Sequence, residues 1–170
     1  MLMSTPKVDR EFKAPNFNLD DLVFGEKVNL ENEDTSRGFV VAFICNHCPY
    51  VIGSIEKFVD TAIKLQEKGI QVYTVMSNNY EFYTSDGPEF MKEFAKEHNF
   101  TFPYLLDEDQ SVAKSYGAVC TPDVFGFNGE GFMQYRGNID GLEDAMLEIK
   151  ETGNGPKEQR GSEGCSVKWK

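Results

Sequence analysis

The 170-residue chain is poor in basic residues, in histidine and in long apolar runs. Its 17 Lys and Arg are outnumbered by 28 Asp and Glu, and the resulting net charge of −11 argues against binding to nucleic acid or to an anionic membrane surface. No apolar run approaches the 18 or more residues of a membrane span, and residues 1–10 lack the apolar stretch of a secretory signal. We therefore expect a cytoplasmic protein that does not interact with a membrane.

Cysteine is also scarce, with four in the chain. Cytoplasmic thiols are kept reduced, so a cysteine pair there is more often catalytic than a structural disulfide. A structural zinc site needs four close ligands, yet beyond His47 the chain offers only single, scattered candidates. These are His98, Cys120 and Cys165. We predict no metal and no other cofactor.

The residues that are present predict one α/β domain over residues 1–170. With 40% hydrophobic residues and 14 Phe, the chain can bury a single core. Short apolar runs alternate with amphipathic patterns, and the helix-length crossover between the first two long runs predicts a parallel βαβ unit. The predicted strands are 38–44, 70–76, 102–106, 124–127 and 132–136. The predicted helices are 49–67, 88–98, 109–116 and 142–150.

The segment Cys45-Asn46-His47-Cys48-Pro49 joins the first long strand to its helix. Pro49 suits the first turn of a helix, where a missing N–H costs nothing. Backbone N–H groups and the helix macrodipole at this junction favour a thiolate, so Cys45 and Cys48 are predicted to form a redox pair. Two other interpretations stay open, namely half of a zinc site and two ordinary buried thiols.

A second segment, Cys120-Thr121-Pro122, precedes a strand, and proline in a sheet is confined to strand starts and edges. Cys120 is open to three interpretations: a resolving thiol, a metal ligand or, as we favour, a small buried hydrophobe. Residues 78–87 follow the carboxyl end of a parallel strand and are expected to line the site.

The C-terminal residues 153–170 are predicted to be a flexible tether and a cysteine-containing tail. Residues 153–164 are rich in Gly and polar side chains, which cannot form a core. On such a tether Cys165 either swings to the active site as a resolving thiol or docks within an edge strand.

Four features together resemble the thioredoxin-like superfamily, and more narrowly its peroxiredoxin-like (redoxin) branch, grouped with alkyl hydroperoxide reductase and thiol-specific antioxidant proteins. They are Ala14-Pro15-x-Phe17, Cys45-x-x-Cys48, Thr121-Pro122 and Tyr135-Arg136-Gly137. The resemblance implies a thioredoxin-like α/β fold, with a central mixed sheet flanked by helices, an N-terminal extension and a C-terminal tail. It also implies a cis Thr121–Pro122 bond that faces the two thiols.

The resemblance frames the choice of function. Peroxiredoxins carry Thr or Ser three residues before the peroxidatic cysteine, and an Arg near the position of Pro122 that polarises the peroxide. Here Cys45 replaces that hydroxyl residue, and Arg136 lies on the next strand instead. We therefore favour a thiol–disulfide oxidoreductase in which the Cys45 thiolate attacks a partner disulfide and Cys48 resolves the mixed disulfide. The expected partner is a disulfide-bearing protein or, in the reverse direction, a small thiol.

Two alternatives remain from the sequence. The first is a thiol peroxidase that uses Cys48 on peroxide, and the second is a non-enzymatic metal-binding or redox-sensing module built on Cys45, Cys48 and a third ligand. His47 either makes the couple more oxidising, by stabilising a thiolate, or is an exposed turn residue without effect. The direction of electron flow stays open.

Overall fold

The computed structural model describes residues 1–170, whose ten strands form two sheets. The larger sheet has the order β3-β2-β6-β5-β4-β8-β9, and the smaller has the order β1-β10-β7. The strands of the larger sheet are β2 (Asn18–Asp21), β3 (Lys27–Asn29), β4 (Phe39–Phe43), β5 (Gln71–Met76), β6 (Tyr104–Leu106), β8 (Asp123–Phe127) and β9 (Met133–Gly137). Those of the smaller sheet are β1 (Leu2–Ser4), β7 (Cys120–Thr121) and β10 (Glu163–Ser166).

The centre of the larger sheet is parallel. Strand β5 pairs in parallel with both β4 and β6, whereas β8 pairs antiparallel with β4. All five residues of β4 are buried, as expected for an apolar strand covered on both faces. The predicted βαβ unit and the mixed central sheet are therefore confirmed.

Five helices accompany the strands, and the single helix predicted to begin at Pro49 is interrupted. The Ser54 hydroxyl donates to the carbonyl oxygens of Tyr50 and Val51, at 2.6 and 3.3 Å, and the first helix ends at Ile52, with Gly53 as its C-cap. Such local side-chain bonds compete with continuation of a helix. The helices are α1 (Pro49–Ile52), α2 (Ile55–Glu67), α3 (Pro88–Glu97), α4 (Ser111–Tyr116) and α5 (Leu142–Thr152).

Apolar side chains fill both faces of the larger sheet. One cluster joins the sheet to α2, α3 and α5 and includes both Cys45 and Cys48. The other joins the opposite face to α4 and to the N-terminal extension, and it is dominated by aromatic rings such as Phe17, Tyr116 and Phe125. The redox-pair candidates thus belong to the core rather than to an open surface.

Residues 153–164 are bound along their length, in contrast to the predicted flexible tether. The Arg10 guanidinium donates to the carbonyl oxygens of Gly155 and Pro156, and the Ser162 hydroxyl donates to Pro122 O at 2.9 Å. The following strand, β10, is the middle strand of the smaller sheet and not an edge strand. The prediction failed because composition shows only that the segment builds no core of its own. The residues that bind it, Arg10 and Pro122, lie far away in the sequence.

None of the helices has the length and apolar character that crossing a membrane requires.

Candidate active site

The two thiols lie where β4 gives way to α1, facing the residue before a cis proline. Both Cys45 and Cys48 are 0% exposed, and Pro49 occupies the first turn of α1. Cys45 Sγ lies 3.4 Å from Thr121 Oγ1, and Cys48 Sγ lies 3.3 Å from Thr121 O. The Thr121–Pro122 peptide bond is cis, as the resemblance implies.

A hydrogen bond between the two thiols divides their charge unequally. It lowers the pKa of Cys48, because the Cys45 S–H donates to the Cys48 thiolate. Backbone N–H groups of Val51 and Cys165 act in the same direction. Burial opposes them, and the Thr121 carbonyl favours the protonated thiol. We place the thiolate on Cys48 because the donors outnumber this acceptor.

The same hydrogen bond raises the pKa of Cys45, and burial and the nearby carboxylate of Asp86 raise it further. These pKa directions favour Cys48 as the thiolate, whereas the sequence interpretation makes Cys45 the attacking thiol. The long helix macrodipole is also absent at this point, since α1 contains only four residues. Individual N–H groups stabilise the Cys48 thiolate instead.

Asp86 is the buried acid of the site, and the sequence interpretation did not single it out. Its side chain is fully buried and accepts from Asn46 N at 2.8 Å, from His47 Nδ1 at 2.6 Å and from Asn78 Nδ2 at 3.1 Å. The available signal was its position in segment 78–87, which was expected to line the site. A single carboxylate in a loop gives no further indication of burial.

His47 is oriented by two contacts. Besides its bond to Asp86, its ring stacks on Tyr83, with centroids 5.7 Å apart and planes 7° from parallel. Its side chain is 29% exposed. His47 is therefore only partly exposed, and its imidazole is held against the buried acid near Cys45. Its effect on the potential of the couple stays a prediction.

Cys45, His47 and Asp86 together form a possible metal-binding group. A ligand atom of each lies within 4.8 Å of those of the other two. Thiolate, imidazole and carboxylate are the donors that zinc takes in proteins. A metal would have to replace the His47–Asp86 hydrogen bond, because the Asp86 oxygens already accept from three donors.

Cys165 lies beside Cys48 although 117 positions separate them in the sequence. Its Cα is paired with that of Thr121 across the β7–β10 ladder, and its side chain packs against the core cluster that contains Cys48. Burial and the neighbouring Cys48 raise the pKa of Cys165. Unlike the other three cysteines, Cys165 is only partly buried.

Cys120 is fully buried, and its Sγ lies 3.5 Å from Pro122 O. Burial raises the pKa of this thiol to about 12, with a smaller effect from Asp123. These contacts match the favoured interpretation of Cys120 as a buried hydrophobe rather than a resolving thiol.

Arg136 does not point toward the thiols. Its guanidinium donates to both carboxylate oxygens of Asp123, at 3.1 and 2.8 Å, and lies 4.4 Å from the centre of the Phe125 ring. The side chain is 7% exposed and its charge is already neutralised. It is therefore not available to polarise a peroxide at Cys48.

Comparison with known proteins identifies the relatives of this chain. The model of the AhpC/TSA family matches residues 11–136. The thiol-disulfide oxidoreductase ResA of Bacillus thuringiensis is 24% identical over 119 residues, which are 70% of this chain and 64% of ResA. The chain thus spans somewhat less than two thirds of the length of this curated relative.

Two solved structures show the fold. An uncharacterized conserved protein from Geobacillus kaustophilus is 35% identical, with a TM-score of 0.94 over 100% of this chain and 97% of that one. The thioredoxin domain of a thiol-disulfide oxidoreductase from Bacteroides vulgatus is 22% identical, with a TM-score of 0.67 over 84% of this chain and 98% of that one. The second likeness confirms the predicted thioredoxin-like fold.

Proposed function

The chain belongs to the AhpC/TSA family, and we propose from its buried thiol pair that it is a thiol–disulfide oxidoreductase. The observation that carries this function is the placement of both thiols against Thr121, before the cis proline, with Cys45 Sγ 3.4 Å from Thr121 Oγ1 and Cys48 Sγ 3.3 Å from Thr121 O. The lowered pKa of Cys48 and the raised pKa of Cys45 favour a thiolate on Cys48. A stabilised thiolate next to a second thiol is the arrangement that disulfide exchange requires. The name of the relative ResA supports the same chemistry.

The pair takes up a disulfide in two exchanges. Cys48 sulfur attacks one sulfur of a disulfide and releases the other as a thiolate, which takes up a proton. Cys45 then loses its proton and attacks Cys48 sulfur, so that the Cys45–Cys48 disulfide forms and the second thiol is released. Two electrons pass from the pair to the substrate, and the reverse sequence oxidises a dithiol.

The substrates we propose are disulfide-bearing proteins or small disulfides such as oxidised glutathione. The net charge of −11 favours neutral or basic partners over acidic ones and over nucleic acid. We also propose a cytoplasmic location, where such a pair would be held reduced by other thiols.

A thiol peroxidase that uses Cys48 is the second candidate, favoured by the thiolate on that residue. It lacks electrostatic support, however, because Arg136 is occupied by Asp123 and Cys45 replaces the expected hydroxyl residue. Rapid stoichiometric consumption of hydrogen peroxide by the reduced protein would favour this candidate.

A metal-binding module is favoured by the grouping of Cys45, His47 and Asp86. Zinc or copper that copurifies with the protein, without any disulfide-exchange activity, would support this candidate.

An equilibrium redox titration in glutathione buffers, with free thiols trapped and assigned by mass spectrometry, tests the proposed function. We expect one reversible Cys45–Cys48 couple between roughly −270 and −120 mV, the range from thioredoxin to strongly oxidising relatives. Its value also gives the direction of electron flow. The proposal fails if no disulfide forms between these two residues.

A further inference from the structure

Neither thiol of the pair is open to a partner. Both Cys45 and Cys48 are 0% exposed, and helix α1, whose first turn follows Cys48, contacts strand β10. Two clefts of about 640 and 630 Å³ open elsewhere on the surface, and no cysteine lines either of them. A disulfide in another molecule can therefore react with the pair only after local opening of the fold, or it must react first with a different thiol.

Cys165 is placed to be that thiol. It is the partly exposed cysteine, and it packs against the cluster that contains Cys48. Its Cα is paired with that of Thr121, whose carbonyl oxygen lies 3.3 Å from Cys48 Sγ. Its backbone is fixed on both sides, because Cys165 is paired with Leu2 of β1 and Thr121 of β7. The sheet therefore fixes the position of Cys165 next to Cys48, and no movement of the C-terminal segment is needed to bring the two residues together.

We propose that Cys165 is the entry thiol of this protein, which receives disulfides from outside and passes them to the buried Cys45–Cys48 pair. This inference rests on the proposed function and adds the route by which substrates reach it. The substrate class is a disulfide that can contact β10 at the surface.

The route consists of three exchanges. Cys165 passes its proton to the neighbouring Cys48 thiolate, attacks the external disulfide and releases one external thiolate, which is then protonated. In the second exchange Cys48 loses that proton and attacks the Cys165 sulfur of the mixed disulfide, so that the second external thiolate leaves and the Cys48–Cys165 disulfide forms. In the third exchange Cys45 attacks the Cys48 sulfur. Cys165 is the leaving sulfur of this step, and it takes up the proton that Cys45 loses.

The electron balance of this route is that of the pair alone. One external disulfide becomes two thiols, the Cys45 and Cys48 thiols become one disulfide, and Cys165 is unchanged. However, the second exchange competes with attack of a second external thiol on the same Cys165 sulfur. The Cys48 thiolate is favoured because the fold already holds it beside Cys165, with Thr121 in contact with both residues.

The test follows the oxidation of the reduced full-length protein by oxidised glutathione. The reaction is stopped with acid at successive times, and glutathione adducts and disulfides are assigned by mass spectrometry. We expect an adduct on Cys165 to precede the Cys45–Cys48 disulfide. In Cys165→Ser, formation of that disulfide should slow at least about tenfold, because oxidation then depends on local opening of the fold.

The matched control is Ser166→Ala, a substitution on the same strand, which should oxidise at the rate of the unchanged protein. The equilibrium potential of the Cys45–Cys48 pair should change little in Cys165→Ser, because Cys165 is a thiol at both ends of the route and the serine hydroxyl can still donate to Cys48. A large shift of this potential would indicate a structural defect in Cys165→Ser instead.

Two results would overturn the entry role while the proposed function stands. One is a Cys45–Cys48 disulfide that forms as fast in Cys165→Ser as in the unchanged protein, and the other is a first adduct on Cys48. If the unchanged protein forms no Cys45–Cys48 disulfide at all, the proposed function itself fails.

A second variant covers the case in which Cys165→Ser does not fold. In Cys48→Ser the internal transfer cannot occur, so oxidised glutathione should accumulate as an adduct on Cys165 and leave Cys45 free. An adduct on Cys45 in place of Cys165 would contradict the route.

Discussion

Single residues decide how the charge of the thiol pair is divided. Cys48 receives an S–H from Cys45 and backbone N–H groups, whereas Cys45 faces the buried Asp86. Asp86 also fixes the His47 ring through a 2.6 Å hydrogen bond. The hydrogen bond to Cys48 and burial raise the pKa of Cys45 most, and the Asp86 carboxylate raises it further while it orients the imidazole. Asp86 is therefore a positioning residue of the site.

Asp86→Asn should make the Cys45–Cys48 couple more oxidising. Removing the negative charge stabilises the reduced form, which carries a thiolate, relative to the neutral disulfide. The expected rise is about 30 mV for each 1.4 kcal/mol of repulsion removed. The redox titration in glutathione buffers measures this rise.

Asp60→Asn is the matched control, because Asp60 is an exposed carboxylate on α2 and should leave the potential unchanged. An unchanged potential in Asp86→Asn would show that this carboxylate does not act on the pair.

Among the elements, β10 determines how far the site is closed. It lies between β1 and β7, so the C-terminal segment covers the thiols as part of a sheet. The residues after it are anchored too, since Lys168 N donates to Asn78 Oδ1 at 2.9 Å. The same Asn78 donates to Asp86. The cover and the buried acid are therefore connected through one side chain.

Gly164→Ala should displace β10. A Cβ at this position would lie 2.0 Å from Thr121 O and 2.6 Å from Thr121 C, which are backbone atoms that cannot rotate away. We expect a loss of roughly 1–3 kcal/mol in the free energy of unfolding. Alkylation of Cys48 by iodoacetamide, followed by mass spectrometry, should become faster because the thiol is uncovered.

Glu163→Ala tests the same strand without a steric conflict, since Glu163 is exposed, and Cys48 should stay protected in it. Equal protection of Cys48 in Gly164→Ala would mean that β10 is not the cover.

The molecule as a whole buries several groups that ionise at alkaline pH. Burial raises the pKa of Cys120 and of Tyr135 to about 12, above their ordinary values of 9.0 and 10.0. In each case the folded protein keeps a proton that the unfolded chain has already lost. The contribution of these groups to the free energy of unfolding is thus fully present below their unfolded pKa values, and it is lost as the pH rises toward about 12.

The free energy of unfolding of the fully reduced protein should therefore fall above about pH 9. Each such group contributes a slope of about 1.4 kcal/mol per pH unit between its unfolded and folded pKa values. Urea unfolding at a series of pH values measures the slope. Cys120→Ala removes one of these groups and should give a shallower decline, and an identical decline would contradict the assignment to Cys120.

The parallel strand pair and the position of Cys45 and Cys48 between strand and helix could be predicted from the sequence, because local periodicity and neighbouring residue types are displayed directly by a single chain. The thioredoxin-like fold was expected from the resemblance of four motifs to that superfamily. Helix α1 departed from the prediction because a short side-chain bond at Ser54 outweighed a continuous apolar stripe.

The sequence does not show which thiol has the lowered pKa or which thiol is partly exposed. Both depend on groups distant in sequence: Asp86 near Cys45, and Cys165 against Cys48. Residues 153–164 show the same limit, since a Gly-rich polar composition gives no sign that Arg10 and Pro122 bind the segment. A sequence pattern records what each residue prefers locally, whereas a pKa or an ordered tail depends on what the fold places next to it.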